Sequence, residues 1–205
     1  MRLYLWAAAG IAMAALTSCN SLSKEECAAA DWSVIGQEDG ASGKDPQDRF
    51  AAHVKSCARI NVVPDQTRWY EGYQLGLPRY CTPLNGLSRG EAGDAYYNVC
   101  PPETSAGFLR GYGLGQQAYR IRSRISSLRS DVSFKDMQAD RNYDAIKKTQ
   151  DNNQRRALRD EIDRLDRDIR RAEREIADLE FDLYAVERDI EAFRRNPGAP
   201  VSPGY

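Results

Sequence analysis

The sequence predicts a mainly α protein: a small, disulfide-clipped helical domain with Gly-rich loops, followed by a long antiparallel helical hairpin or coiled coil. Three observations predict it. Four cysteines fall between residues 27 and 100, capped apolar-periodic stretches recur before residue 80, and apolar residues step by four and three from Leu158 to Phe193. A length of 205 residues suits one domain with an appendage. The 29 Lys+Arg against 30 Asp+Glu leave a net charge of −1, which excludes a general electrostatic grip on nucleic acid. A mean hydropathy of −0.65 excludes a polytopic membrane protein.

The chain begins with an address. Arg2 precedes an apolar run from Leu3 to Leu16, and Leu16-Thr17-Ser18-Cys19 follows. A helix over that run rises only about 21 Å, short of a hydrocarbon core of roughly 30 Å, so residues 1–18 read as a secretory signal. Leu-Thr-Ser-Cys resembles the bacterial lipobox, which implies acylation of Cys19 and anchoring to a membrane by more than one chain. Asn20 rather than Asp after that cysteine resembles the signal for outer-membrane sorting, so the folded part is expected to face the periplasm. An ordinary signal peptide with an incidental cysteine is the alternative.

Cys27, Cys57, Cys81 and Cys100 remain, an even number in an oxidising compartment, so two disulfides are expected. Three connectivities are possible; Cys27–Cys57 with Cys81–Cys100 closes the smallest loops and is preferred. A zinc site would recruit His53, four residues before Cys57, but no Cys-x-x-Cys pair supports it, and no metal or cofactor is assigned.

Ser23-Lys24-Glu25-Glu26 forms a capping box that opens a short helix through Ala30. Trp32 and Ile35 lead into Gly36-Gln37-Glu38-Asp39-Gly40, read as a turn. Asp45-Pro46 caps a second helix, with Phe50, Val54 and Cys57 on its buried face. Pro64-Asp65 caps a third, carrying Trp69 and Tyr73. An internal repeat follows: Gly72-Tyr73-Gln74-Leu75-Gly76 with Tyr80 matches Gly111-Tyr112-Gly113-Leu114-Gly115 with Tyr119 at an offset of 39. Glycines at i and i+4 make a smooth strip on a helix, which suits a closely crossing helix in the core or, alternatively, a glycine-lined ligand groove. Residues 81–102, between the copies, read as a loop held by a disulfide.

The spaced series Asp31-Trp32, Ile35-Gly36, His53, Cys57, Gly72, Gly76-Leu77, Tyr80-Cys81, Gly86, Gly90, Cys100-Pro101 and Gly111-Tyr112 resembles the bacterial lipoproteins grouped as domain-of-unknown-function family 2799. The resemblance covers roughly residues 19–120. It implies a Gram-negative lipoprotein and supplies no catalytic residue.

From Leu158 the seam runs through Ile162, Leu165, Ile169, Ala172, Ile176, Leu179, Leu183, Val186 and Ile190 to Phe193. The flanks of this seam are acidic, with Asp166, Glu173, Glu180 and Glu187 on one side and Glu161, Asp168, Glu175, Asp182 and Asp189 on the other. Self-pairing in either direction sets like charge against like, so the helix calls for a basic neighbour. The preceding Ile121, Ile125, Leu128, Val132, Ala139 and Ile146 keep the same register beside Arg122, Arg124 and Arg129, although Lys135 and Asn142 interrupt it. Folding back near residues 150–154 sets Ile125 against Leu179 and Leu128 against Ile176. The same fold places Arg122 near Glu180, Arg129 near Glu173 and Arg124 near Glu175 or Asp182. The resulting division is a signal over 1–18, a Cys/Gly-rich domain over 19–120, a hairpin over 121–195 with an outer end open to fraying, and a disordered tail over 196–205.

No catalytic constellation is present. Gly111–Gly115 lacks the strand context of a dinucleotide site, and no Walker pattern or nucleophile elbow occurs. Asp39, Asp45 and Asp48 read as caps and solvated surface. The expected role is a non-enzymatic, membrane-anchored envelope lipoprotein that meets protein partners through its C-terminal helices. One alternative is a module binding cell-wall fragments or another small ligand through Trp32, Trp69, Tyr73 and Tyr112; another is a hydrolase with His53 as general base.

Overall fold

The computed structural model describes residues 21–198. The helices are α1 (Lys24–Ala28), α2 (Trp32–Ala41), α3 (Pro46–Cys57, with a 3-10 turn over Ala58–Ile60), α4 (Gln66–Tyr80), α5 (Pro83–Ala92), α6 (Pro102–Lys148) and α7 (Asn152–Arg195), and no strand occurs among the described residues. The mainly α prediction holds. Ser23 caps α1 through the full capping box, Asp45 caps α3 ahead of Pro46, and Asp65 caps α4. The disulfides are Cys27–Cys57, joining α1 to the end of α3, and Cys81–Cys100, joining the end of α4 to the approach to α6.

Most of the described glycines sit on helices rather than in loops. Asp31 accepts hydrogen bonds from the backbone N–H groups of Ser33 and Val34, and α2 runs straight through the expected turn at Gly36–Gly40. Residues 83–92, expected inside a loop, form α5, capped by Thr82 before Pro83 and closed by Gly93 in the left-handed region. A glycine in a helix costs about 1 kcal/mol against alanine. The contacts it permits explain its presence. A Cβ on Gly36, Gly40, Gly72 or Gly76 would lie 1.9–2.1 Å from the carbonyl oxygens of Trp69, Tyr73, Ser33 and Gln37, respectively. Helices α2 and α4 therefore touch backbone to backbone, where Cα–H groups approach carbonyls.

Helices α5 and α6 repeat this arrangement contact for contact. Gly86 and Gly90 face the carbonyls of Phe108 and Tyr112, and Gly111 and Gly115 face those of Pro83 and Leu87, with a Cβ 2.1–2.3 Å away in each case. Every α5 residue of the crossing lies 50 positions after its α2 counterpart, and every α6 residue 39 after its α4 counterpart. The domain is thus a duplicated pair of glycine-crossed helices, and the difference of offsets is the room taken by α3. Each copy ends alike: Gly43 and Gly93 adopt φ of +65° and +74° against the rings of Tyr80 and Tyr119. Tyr73 and Tyr112 donate hydrogen bonds to the next residues' carbonyls, Lys44 at 2.6 Å and Asp94 at 2.7 Å. The two glycine copies read from sequence do not cross each other; each is crossed by its own partner.

Helices α6 and α7 form the antiparallel hairpin, turning between Lys148 and Asn152. Ile125, Leu128 and Ala139 are buried on α6, as are Ile162, Leu165, Ile169, Ala172, Val186, Ile190 and Phe193 on α7. Both helices remain regular to the turn, and Lys135, at the interruption of the seam, pairs with Asp131. Arg124 meets Glu175 at 2.7 Å as expected. On the other flank Arg122 reaches Glu187 and Arg129 reaches Glu180, one heptad further along α7 than expected. An arginine there lies between two acids spaced seven residues apart, about 10 Å of rise, so the apolar seam fixes the flank without fixing the acid.

The expected boundary at 120/121 falls inside α6. The far end of α7 returns to the domain, where Val186, Ile190 and Phe193 pack with Leu87 and Ala118. Arg194 pairs with Glu91 of α5 at 3.0 Å, and Arg110 donates to the carbonyl of Pro197 at 3.1 Å. The signal segment, Cys19, Asn20 and the tail beyond residue 198 lie outside the described residues.

Candidate functional site

Four aromatic residues carried the ligand-binding expectation, and the structure uses them as core. Trp32, Trp69 and Tyr73 are buried, and Tyr112 is half-buried with its ring on Tyr96 and Phe108. The polar atoms of Trp69, Tyr73 and Tyr112 have partners inside the protein, which is what lets such large side chains be enclosed. The glycine strips beside them are filled by the crossing helices, so no groove remains there for a ligand.

Around Trp69 lies a polar network that the sequence did not announce. Asp39, expected at the surface, is buried on α2. Its Oδ1 accepts from Arg49 Nε at 2.6 Å, and its Oδ2 accepts from Trp69 Nε1 at 3.1 Å and from His53 Nε2 at 2.7 Å. Burial pushes the Asp39 carboxyl up, but the hydrogen bonds from His53, Arg49 and Trp69, with the charge of Arg49, outweigh it and hold the group below the usual carboxylate range. Residues 36–40 read as a turn because glycine and acid dominate them; the partners that mark Asp39 as interior, Arg49, His53 and Trp69, lie ten to thirty residues on.

His53 is completely enclosed, with the rings of Trp32 and Trp69 6.3 and 6.2 Å away. With the proton on Nε2 facing Asp39, its Nδ1 is buried without a partner. A general base must reach the proton it takes. In this arrangement His53 cannot, and it serves to tie α3 to α2. Next to it Ser56 is buried too and bonds Ser21 at 3.0 Å, while Val54, expected on the buried face, is exposed. The face of α3 is therefore set by His53, Ser56 and Cys57. The four cysteines are engaged as disulfides, and among the described residues no group of three or more His, Cys, Asp or Glu could hold a metal ion.

The open surfaces lie elsewhere. One is a groove of about 590 Å³ along the hairpin, between Ile125, Ser126, Ser130 and Ser133 of α6 and Glu180 and Leu183 of α7. The small serines leave the flank of the seam uncovered. Large side chains also stand free along the arm: Phe134, Met137 and Tyr143 on α6, and Phe181 and Tyr184 on α7. A second open surface is a cleft in the domain beside Tyr70 and Tyr97. Among the described residues no helix is long and apolar enough to cross a membrane.

Comparison with curated proteins and with solved structures finds no match. Residues 31–117 match the family model DUF2799, described as a protein of unknown function, from the N-cap of α2 to just past Gly115, so the family's segment is the duplicated glycine-crossed domain without its arm.

Proposed function

We propose that the protein is an envelope lipoprotein, acylated at Cys19 in the outer membrane, whose domain stands at the periplasmic face and presents the α6–α7 arm to a protein partner without catalysing a reaction. The arm carries this reading. Between residue 120 and the turn it extends about 42 Å, rooted in the domain and bearing five large, half-exposed or more exposed apolar and aromatic side chains beside an open groove. Surfaces of this kind mark protein contacts, and a groove flanked by small residues suits an amphipathic helix.

The start of the folded chain supports the anchoring. Ser21 bonds Ser56, Leu22 packs on the core, and Arg59 donates to the carbonyl of Leu22 at 2.9 Å. Only Asn20 separates this docked segment from Cys19. Acyl chains on Cys19 would hold the domain directly against the bilayer, leaving reach to the arm.

Photo-cross-linking residues placed at Met137 and Phe181 test the reading in cells. A single defined adduct is the expected result, lost from Met137 when Phe134, Phe181 and Tyr184 are changed to Ser; no adduct from either position rejects the arm as a contact surface. Labelling with an alkyne fatty acid should depend on Cys19, and equal labelling of Cys19→Ser would reject the anchor.

A further inference from the structure

We propose that the cleft between Tyr70 and Tyr97 binds a short neutral glycan of about two sugar rings. It lies where the loop after α5 folds back against the first glycine unit, at the junction of the two repeats, and has a volume of about 330 Å³. That is the low end of small-molecule sites, and junctions between units are a common place for them.

The loop is fixed at every point but the one it displays. Tyr112 holds the carbonyl of Asp94, and the Tyr96 ring packs 4.8 Å from Phe108. The Tyr96 hydroxyl accepts the N–H of Cys100 at 3.1 Å, and Cys100 is bonded to Cys81. Between these ties Tyr97 is 50% exposed, and Asn98 adopts φ of +56°. Opposite, Tyr70 is likewise 50% exposed and lies parallel to Tyr73, with 8° between the rings. The platform is thus set before any ligand arrives, which limits the ordering cost of binding.

Chemistry selects the ligand class. The faces of two half-exposed tyrosines suit the C–H face of a pyranose. The amides of Gln47, Gln74 and Asn98 around them can each donate and accept, as paired hydroxyl or acetamido groups require. The charged side chain lining the cleft is Asp45, whose carboxylate accepts from the N–H groups of Gln47 and Asp48 as the cap of α3, so an anionic ligand finds no cation in the lining. The cleft is too polar and shallow to bury a lipid chain or an apolar peptide anchor, and no sheet edge occurs among the described residues for an extended peptide to join.

The repeat supplies an internal contrast. The counterpart of Tyr70 in the second unit is Leu109, and that of Lys44-Asp45 is Asp94-Ala95. The two units share their glycines and their tying tyrosines, but the aromatic face that the first contributes to the cleft at Tyr70 has no counterpart at Leu109. What the duplication preserved is packing; what differs is this surface.

Titration calorimetry of the full-length protein in a sugar-free detergent, with N,N′-diacetylchitobiose and with cellobiose as probes, tests the proposal. Saturable binding of at least one disaccharide is expected, weakened about tenfold or more by Tyr97→Ala and by Tyr70→Ala, with the melting temperature unchanged and Tyr97→Phe close to wild type. No saturable heat with either probe up to 20 mM (a limit on the order of the weakest useful affinity) overturns it. Binding that survives both alanine changes overturns it equally. The arm is untouched by these variants, so failure here leaves the cross-linking result standing.

Discussion

The domain and the arm are both all-helical, yet they are held together by opposite means. In the domain, helices meet through their backbones, with eight glycines placed where any Cβ would strike a carbonyl. In the arm they meet through a seam of Ile, Leu and Ala flanked by exposed ion pairs, and side chains keep the backbones apart. The first arrangement has no slack. The second tolerates change at every position outside the seam, which is where a partner-facing surface can vary.

The largest expected effect is Gly72→Ala. Its methyl would sit 1.9 Å from the carbonyl oxygen of Ser33, and two helices must part to admit it. A loss of about 3 kcal/mol or more in denaturant unfolding is expected. A loss below 1 kcal/mol, on the order of a propensity effect, would mean that the helices are not in backbone contact.

Asp39→Asn comes next, at about 2–3 kcal/mol, because it weakens three hydrogen bonds that converge on one buried charge. Its pH dependence separates it from simple packing loss. The folded carboxyl titrates below its unfolded value near 4, so its contribution is complete above about pH 4 and disappears as the pH falls through the lower folded value. The wild type should therefore lose stability on acidification more steeply than the variant. Parallel profiles would remove Asp39 from the network's electrostatics.

In the arm, Ile169→Ala removes a buried seam side chain and should cost about 2 kcal/mol. Hydrogen exchange should show the loss in the hairpin while amides of α2 and α4 stay protected. Uniform loss across the molecule would merge the two regions into one cooperative unit.

Gly113→Ala is the control within the repeat. Nothing lies within 4 Å of the Cβ it would carry, unlike Gly111 and Gly115 on either side, so a gain of about 0.5–1 kcal/mol is expected. Arg129→Gln should change least, under about 0.5 kcal/mol, because both partners of its ion pair with Glu180 stand largely in solvent. A loss above 2 kcal/mol there, on the order of a seam truncation, would show that charge rather than the apolar seam holds the arm.

The arm was the more legible region. Heptads are local, and charge and apolar register report on the same geometry; what was displaced were the arginine partners on one flank and the start of the arm, which falls inside α6. The domain was half legible. Its caps and disulfides follow from nearby residues, and Gly72–Tyr80 against Gly111–Tyr119 stands out at a single offset. The matching Gly36–Lys44 and Gly86–Asp94 did not, because their offset is 50 and short Gly-rich stretches read as turns. Nothing local distinguishes a glycine needed for bending from one needed for contact. The aromatic residues misled for a related reason: Trp69 and Tyr73 carry polar atoms that suggest a binding surface, but those atoms serve Asp39 and the carbonyl of Lys44.

Helix α6 has one further consequence. It is half of the second crossing at Gly111 and Gly115 and, without interruption, the inner rod of the projecting hairpin. Load applied at the outermost turn arrives at that crossing as torque, since no swivel intervenes. The protein is a lever made in one piece with its fulcrum, and whatever seizes its far end also steers the body at the other.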